Sequence, residues 1–133
     1  MAIKISPADK AFSECVRAAA GECERCGKGG RLECSHIFSR ANRTIRWAKD
    51  NAMAKCFMCH KWWHAEPTES GVWFRGLKGD GFVALLIEKK NNKFKVPKTE
   101  EKDIARHYRG QLKIIEQKRS EGHTGFIDFV SWQ

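Results

Sequence analysis

Two Cys-x-x-Cys pairs carry the plainest chemistry in this chain. Cys23-Glu-Arg-Cys26 and Cys56-Phe-Met-Cys59 each present two thiolates at a spacing that lets one ion take both. Together they make a tetrahedral four-sulfur set suited to Zn2+. Four thiolates leave no coordination position open to water or substrate, so such a zinc is structural, and its binding free energy serves to fold a short segment. Gly27, Gly29 and Gly30 follow the first pair and suit a tight turn whose amides point at sulfur. The competing uses are a redox pair or simple buried thiols. Of the 6 cysteines, Cys15 and Cys34 lack the spacing. Cys15 falls on an apolar helical stripe with Phe12 and Val16, and Cys34 shares a strand-like stretch with Leu32 and His36, so both are expected to pack.

Any catalysis must then come from other side chains, and His36, Asn51, His60 and His64 lie between and just after the pairs. Imidazole is neutral near pH 7 and can accept a proton from water, which makes His36 a candidate general base. His60 and His64 are four residues apart, on one face of the helix expected after Cys56, where two imidazoles can grip one divalent ion. A histidine beside Trp62 and Trp63 could equally cap a packing cluster. His107 and His123 stand outside this group and read as surface or packing residues.

The order His36, Asn51, His60 around Cys56-x-x-Cys59 resembles the HNH (ββα-metal, His-Me finger) nuclease superfamily over residues 23–64. His36-Ile, Ser39-Arg40, Arg46-Trp47 before Asp50-Asn51, and a basic helical tail are most similar to the phage NinG/Rap-type recombination nucleases. The resemblance implies a metal-dependent DNA endonuclease with His36, Asn51 and His60 as its catalytic set. It also implies Mg2+ or Mn2+ distinct from the zinc and held by His60 and His64, products with 5′-phosphate and 3′-hydroxyl ends, and a branched recombination intermediate as substrate. In that superfamily the equivalent of Asn51 either holds its loop through backbone hydrogen bonds or binds metal, and the loop-holding role is the one expected here. Many members place Asp or His directly before the catalytic histidine as a metal ligand, where this chain has Ser35. That departure leaves two alternatives: a noncatalytic zinc-finger DNA-binding protein, and a nicking or site-specific nuclease acting on duplex DNA.

The elements that must position these groups fit one small α+β domain of 133 residues. Expected are an N-terminal helix within residues 1–22, a zinc-supported ββα core over 23–66, and a mainly helical extension over 67–133. Residues 8–20 carry an amphipathic pattern, 71–77 a short helical one, and 80–90 an apolar run that is either helix or strand. After Pro97, Thr99 is the expected N-cap of the longest helix, with Ile104, Tyr108, Leu112 and Ile115 as its stripe and Gly122 as its stop. The apolar end, Phe126 to Trp132, should dock on the core or meet a partner.

Lys plus Arg number 25 against 16 Asp plus Glu, a formal charge of +9, so the long-range field attracts polyanions and DNA is the first partner to consider. Arg40, Arg43 and Arg46 lie on the loop between the first strand and Asn51, where guanidinium forks could reach phosphate. Trp47, Trp62, Trp63 and Trp73 either stack on exposed bases or pack around the zinc core. A junction substrate has two-fold character and is compatible with a homodimer. With 41% hydrophobic and 31% charged residues and no long apolar run, a membrane span is excluded and a cytoplasmic location is expected, the host cytoplasm for a phage protein.

Overall fold

The computed structural model describes residues 3–133. Among these the chain forms five α-helices and one two-stranded antiparallel sheet, an α+β arrangement. Helix α1 (Pro7–Ala20) has its limits written locally. Ser6 and Asp9 form a reciprocal capping box, Pro7 occupies the first turn, and Gly21 ends the helix in the left-handed region at φ 72°. Arg119, from the far end of the chain, donates to the carbonyls of Ala18 and Ala19 and so closes the last turn of α1. A Cβ on Gly21 would stand 3.0 Å from that guanidinium, a second reason for glycine there.

Strands β1 (Glu33–His36) and β2 (Ala52–Lys55) pair with Glu33 opposite Lys55 and His36 opposite Ala52. Strand alternation sends successive residues to opposite faces. Accordingly Ala54 joins an apolar cluster built on α1, while Met53 joins a second one with Ile45, Phe74, Val83 and Leu86. The sheet is therefore buried on both faces although it has only two strands. Cys56 caps α2 (Phe57–Ala65), so strand, strand and helix follow one another with the second cysteine pair at the joint.

Helices α3 (Pro67–Lys78) and α4 (Asp80–Lys90) complete the second cluster. The expected short helix at 71–77 extends back to Pro67, which is well suited to a first helical turn, and the 80–90 run is helix. Helix α5 (Glu101–Ser120) buries Ile104, Tyr108 and Ile115 against α1, with Leu112 half-buried. Thr99 does not cap it. A 3-10 turn at Lys98–Glu100 precedes the helix, and no side chain bonds its first amides. The C-terminal segment docks as expected: Ile127 and Phe129 are buried, and the Ile127 amide donates to Ala19 at 2.9 Å. Tyr108, wholly buried, donates its hydroxyl proton to the Trp47 carbonyl and accepts from the Trp132 amide. No helix among the described residues is long and apolar enough to cross a membrane.

Candidate functional site

The sulfur atoms of Cys23, Cys26, Cys56 and Cys59 all lie within 4.8 Å of one another. Cys26 Sγ and Cys56 Sγ are 3.8 Å apart, which is the edge of a tetrahedron whose centre is about 2.3 Å from each sulfur, as in zinc thiolate sites. The four cysteines could hold a structural zinc ion. Gly27 at φ 77° closes the first turn, letting its amide donate to the Cys23 carbonyl at 2.9 Å, and the Cys23 amide donates to Lys28. Burial raises the Cys23 thiol, but the amides of Cys26, Cys56 and Arg25 outweigh it and bring it down to about 6. Burial pushes the Cys59 thiol the other way, up to about 12. Thiolates this crowded cannot all ionise together without a cation among them, and a divalent ion removes that conflict. The Arg25 guanidinium carbon lies over Trp62, 3.5 Å from the ring centre, and Nη1 points at Cys59 Sγ.

Beyond the sulfurs, α2 carries His60 and His64, whose Nε2 atoms are 3.1 Å apart. Two imidazoles bound to one ion at about 2.0–2.1 Å each would hold their nitrogens at about this separation. Glu33 Oε1 accepts from His60 Nδ1 at 2.8 Å, which fixes the ring and leaves Nε2 as the donor atom for an ion. Burial, the neighbouring His60 and Lys55 lower the pKa of His64, favouring its neutral, ligand-competent form.

His36 faces the same space from β1. A cavity of about 750 Å3 is lined by residues of α1, β1, the loop after it and α2, including Asp9, His36, Arg40, His60, Trp63 and His64. His36 Nε2 lies 3.2 Å from the Arg46 carbonyl, which can only accept, so Nε2 carries the proton and Nδ1 is the basic atom. Burial holds the His36 pKa below its ordinary 6.5, which keeps the ring neutral at pH 7.

Asn51 is wholly buried and works as a staple. Its Oδ1 accepts from the Phe38 amide at 2.8 Å while Nδ2 donates to the Phe38 and Ile45 carbonyls. These bonds hold the loop beyond His36, and they leave the amide no free atom to turn toward the cavity.

The three loop arginines do not act alike. Arg40 lines the cavity, 3.5 Å from Asp9, and donates to the Ile3 carbonyl. Arg46, expected at phosphate, is instead 7% exposed and clamps Asp9 through two bonds of 3.0 and 2.6 Å. Arg43 is tied to Glu101 at 2.8 Å and to the Val96 carbonyl at 3.1 Å. The basic loop is therefore largely neutralised from within, because a guanidinium that folds back onto the protein is worth more to the fold than one left in water.

Glu33, Asp9 and Lys55 matter here and were not singled out in the sequence. Glu33 was detectable in principle, since period-two alternation puts it on the face opposite His36, toward α2. The wholly buried Lys55 donates to Ser35 at 2.9 Å and lies 4.2 Å over Trp63. Ser35, the residue at the usual ligand position, is thereby turned away from the cavity. Trp73 packs edge to face on both Trp62 and Trp63, all three rings half-buried, and Trp47 is fully buried, so packing is the main use of these rings. Comparison of the chain with models of known protein families, with curated proteins and with solved structures finds no match.

Proposed function

We propose that this protein is a metal-dependent endonuclease of HNH type that hydrolyses DNA phosphodiester bonds, with branched recombination intermediates as its preferred substrate and a phage as its origin. One observation carries the reading: a single cavity joins His36, the imidazole with a free basic nitrogen, to His60 and His64, the pair set at ion-binding distance. His36 Nδ1 takes a proton from the attacking water as its oxygen bonds to phosphorus. The bond from phosphorus to the 3′ oxygen breaks, and that oxygen is protonated from solvent, leaving 5′-phosphate and 3′-hydroxyl ends. Arg46 holds the far side of the His36 ring through its carbonyl, and Asn51 holds the loop that supplies that carbonyl. A divalent ion, Mg2+ or Mn2+, held by His60 and His64 would offset the charge building on the phosphate and on the leaving oxygen. Glu33 keeps the His60 ring turned for that task. Two imidazoles as the protein ligands favour Mn2+ over Mg2+, which prefers oxygen. Arg40, at the cavity, is the loop arginine suited to phosphate.

Incubation of the protein with plasmid, linear duplex and four-way-junction DNA in Mg2+, Mn2+ or EDTA, beside His36→Ala, tests this. Cutting that needs the cation, fails in the variant and is strongest on the junction is the expected result. Ser35, buried against Lys55, favours a second reading, a noncatalytic zinc-finger DNA-binding protein, because the site then has fewer protein ligands. Binding without cleavage under every condition would establish that reading. Cutting of simple duplex at one site would make the protein a nicking or site-specific enzyme instead.

A further inference from the structure

A second concave surface lies beyond α4, where the chain runs Asn91-Asn92-Lys93-Phe94-Lys95-Val96-Pro97. Both ends of this segment are anchored to the loop before Asn51. Thr44 donates to the Lys90 carbonyl at 2.7 Å, and Arg43 donates to the Val96 carbonyl at 3.1 Å while accepting from its amide. Between these anchors the Phe94 amide donates to Asn92 Oδ1 at 2.9 Å, tightening the turn. Phe94 nevertheless leaves its ring 85% exposed. That ring gains nothing from folding by itself, since the hydrophobic effect rewards only surface removed from water.

Phe94 and Trp132 line a cleft of about 460 Å3 together with Val96, Pro97, Lys89 and Lys95. This volume falls within the ~300–1,000 Å3 typical of clefts that take small ligands. Trp132 is held in place by its amide bond to the Tyr108 hydroxyl and by the His107 ring 5.6 Å away. From Lys89 to Lys98 the chain carries five lysines and no acid, and among the described residues Lys89 is the one of them paired with a carboxylate, 3.9 Å from Asp50. Among the described residues lining the cleft, Glu100 is the one acid. Exposed aromatic faces set among flexible cations fit a polyanion that also presents flat apolar rings, which is single-stranded or locally unpaired nucleic acid. An acidic peptide would satisfy the lysines and leave the rings uncovered.

We propose that this cleft takes an unpaired nucleobase of DNA, stacked on Phe94 beside Trp132, with the adjoining phosphates on Lys93 and Lys95. The idea takes its ligand from the DNA reading above but does not depend on hydrolysis. The test is titration of the zinc-loaded protein, with no other divalent ion added, against duplexes carrying 2-aminopurine either fully paired or in a one-nucleotide bulge. The bulged duplex should bind about tenfold more tightly. Phe94→Ala should abolish that preference while keeping affinity for the paired duplex, Phe94→Trp should keep it, and Lys95→Ala should weaken both duplexes alike. Equal binding of the two duplexes by the native chain, or a preference unchanged in Phe94→Ala, overturns the proposal even if plasmid is cut. A Phe94-dependent preference in a protein that cleaves nothing upholds it while the nuclease reading falls. Competition by polyglutamate stronger than by single-stranded DNA, and equally sensitive to Phe94→Ala, would overturn it in favour of an acidic protein partner.

Discussion

Helix α2 carries two donor sets that differ in kind. Its first turn brings Cys56 and Cys59, both buried, into a closed group of four sulfurs. Its next turns bring His60 and His64 to the edge of an open cavity, where the two imidazole nitrogens face each other with no third side chain among the described residues completing the set. A closed set can only hold the chain together, whereas an incomplete one leaves room for water and phosphate. Placing both on one short helix means that an ion held by the four sulfurs would also set the position of the two imidazoles.

The sharpest way to break this contrast is to empty the closed set. Cys59→Ser, or prolonged chelation, should remove one zinc per chain and unfold the 23–65 region, a loss comparable to the whole ~5–15 kcal/mol stability of a small domain. Metal analysis and circular dichroism would register it. Brief chelation should instead stop cleavage reversibly with the fold intact, and simultaneous loss of both would mean that the two donor sets are not separate.

His36→Ala should lower the cleavage rate by about 10²–10⁴-fold with little change in thermal midpoint. Because burial lowers the His36 pKa, the ring is neutral above it, so the native rate should hold to lower pH than an ordinary imidazole of pKa 6.5 would allow, and fall as acid protonates the ring. Proton binding that the folded state resists also costs stability below the ordinary pKa of 6.5. A rate that rises with acidity would exclude His36 as the base.

Arg46→Ala removes the two close bonds to buried Asp9 and leaves it Arg40, at 3.5 Å, and Ser6 as partners, so it should cost less in urea unfolding than the ~3–5 kcal/mol of a wholly stranded buried charge. Burial raises the Asp9 pKa, but the bonds from Arg46 and Ser6 outweigh it and leave it below 3.8. The stabilisation is therefore complete above the unfolded value near 4, and it fades as pH falls below that toward the folded one. Asp9→Asn should flatten that acid limb.

The smallest expected effect sharpens the contrast from the open side. Glu33→Gln should weaken Mn2+ binding by about 10–100-fold without altering zinc content. An unchanged affinity would mean that the His60 ring needs no support.

Cysteine spacing and the i, i+4 histidines could be read along the chain because each depends on neighbours a few residues apart, whereas the cap expected at Thr99 gave way to a 3-10 turn. Asn51 was recognisable as a loop holder only through resemblance, and its partners Phe38 and Ile45 became visible in the fold. Arg43 and Arg46 depart from the expectation for a related reason, while Arg40 stays at the cavity. A basic loop looks solvated until the chain brings Asp9 and Glu101 back to it from α1 and α5.

Local chemistry alone thus determined a four-cysteine cluster that could hold zinc, an amphipathic first helix and an α+β class. Tertiary structure decided which histidines share a cavity, which arginine stays at it, and that Ser35 turns to Lys55 instead. Those outcomes depend on long-range burial, where the cost of leaving a charge unpaired selects partners that no local pattern identifies.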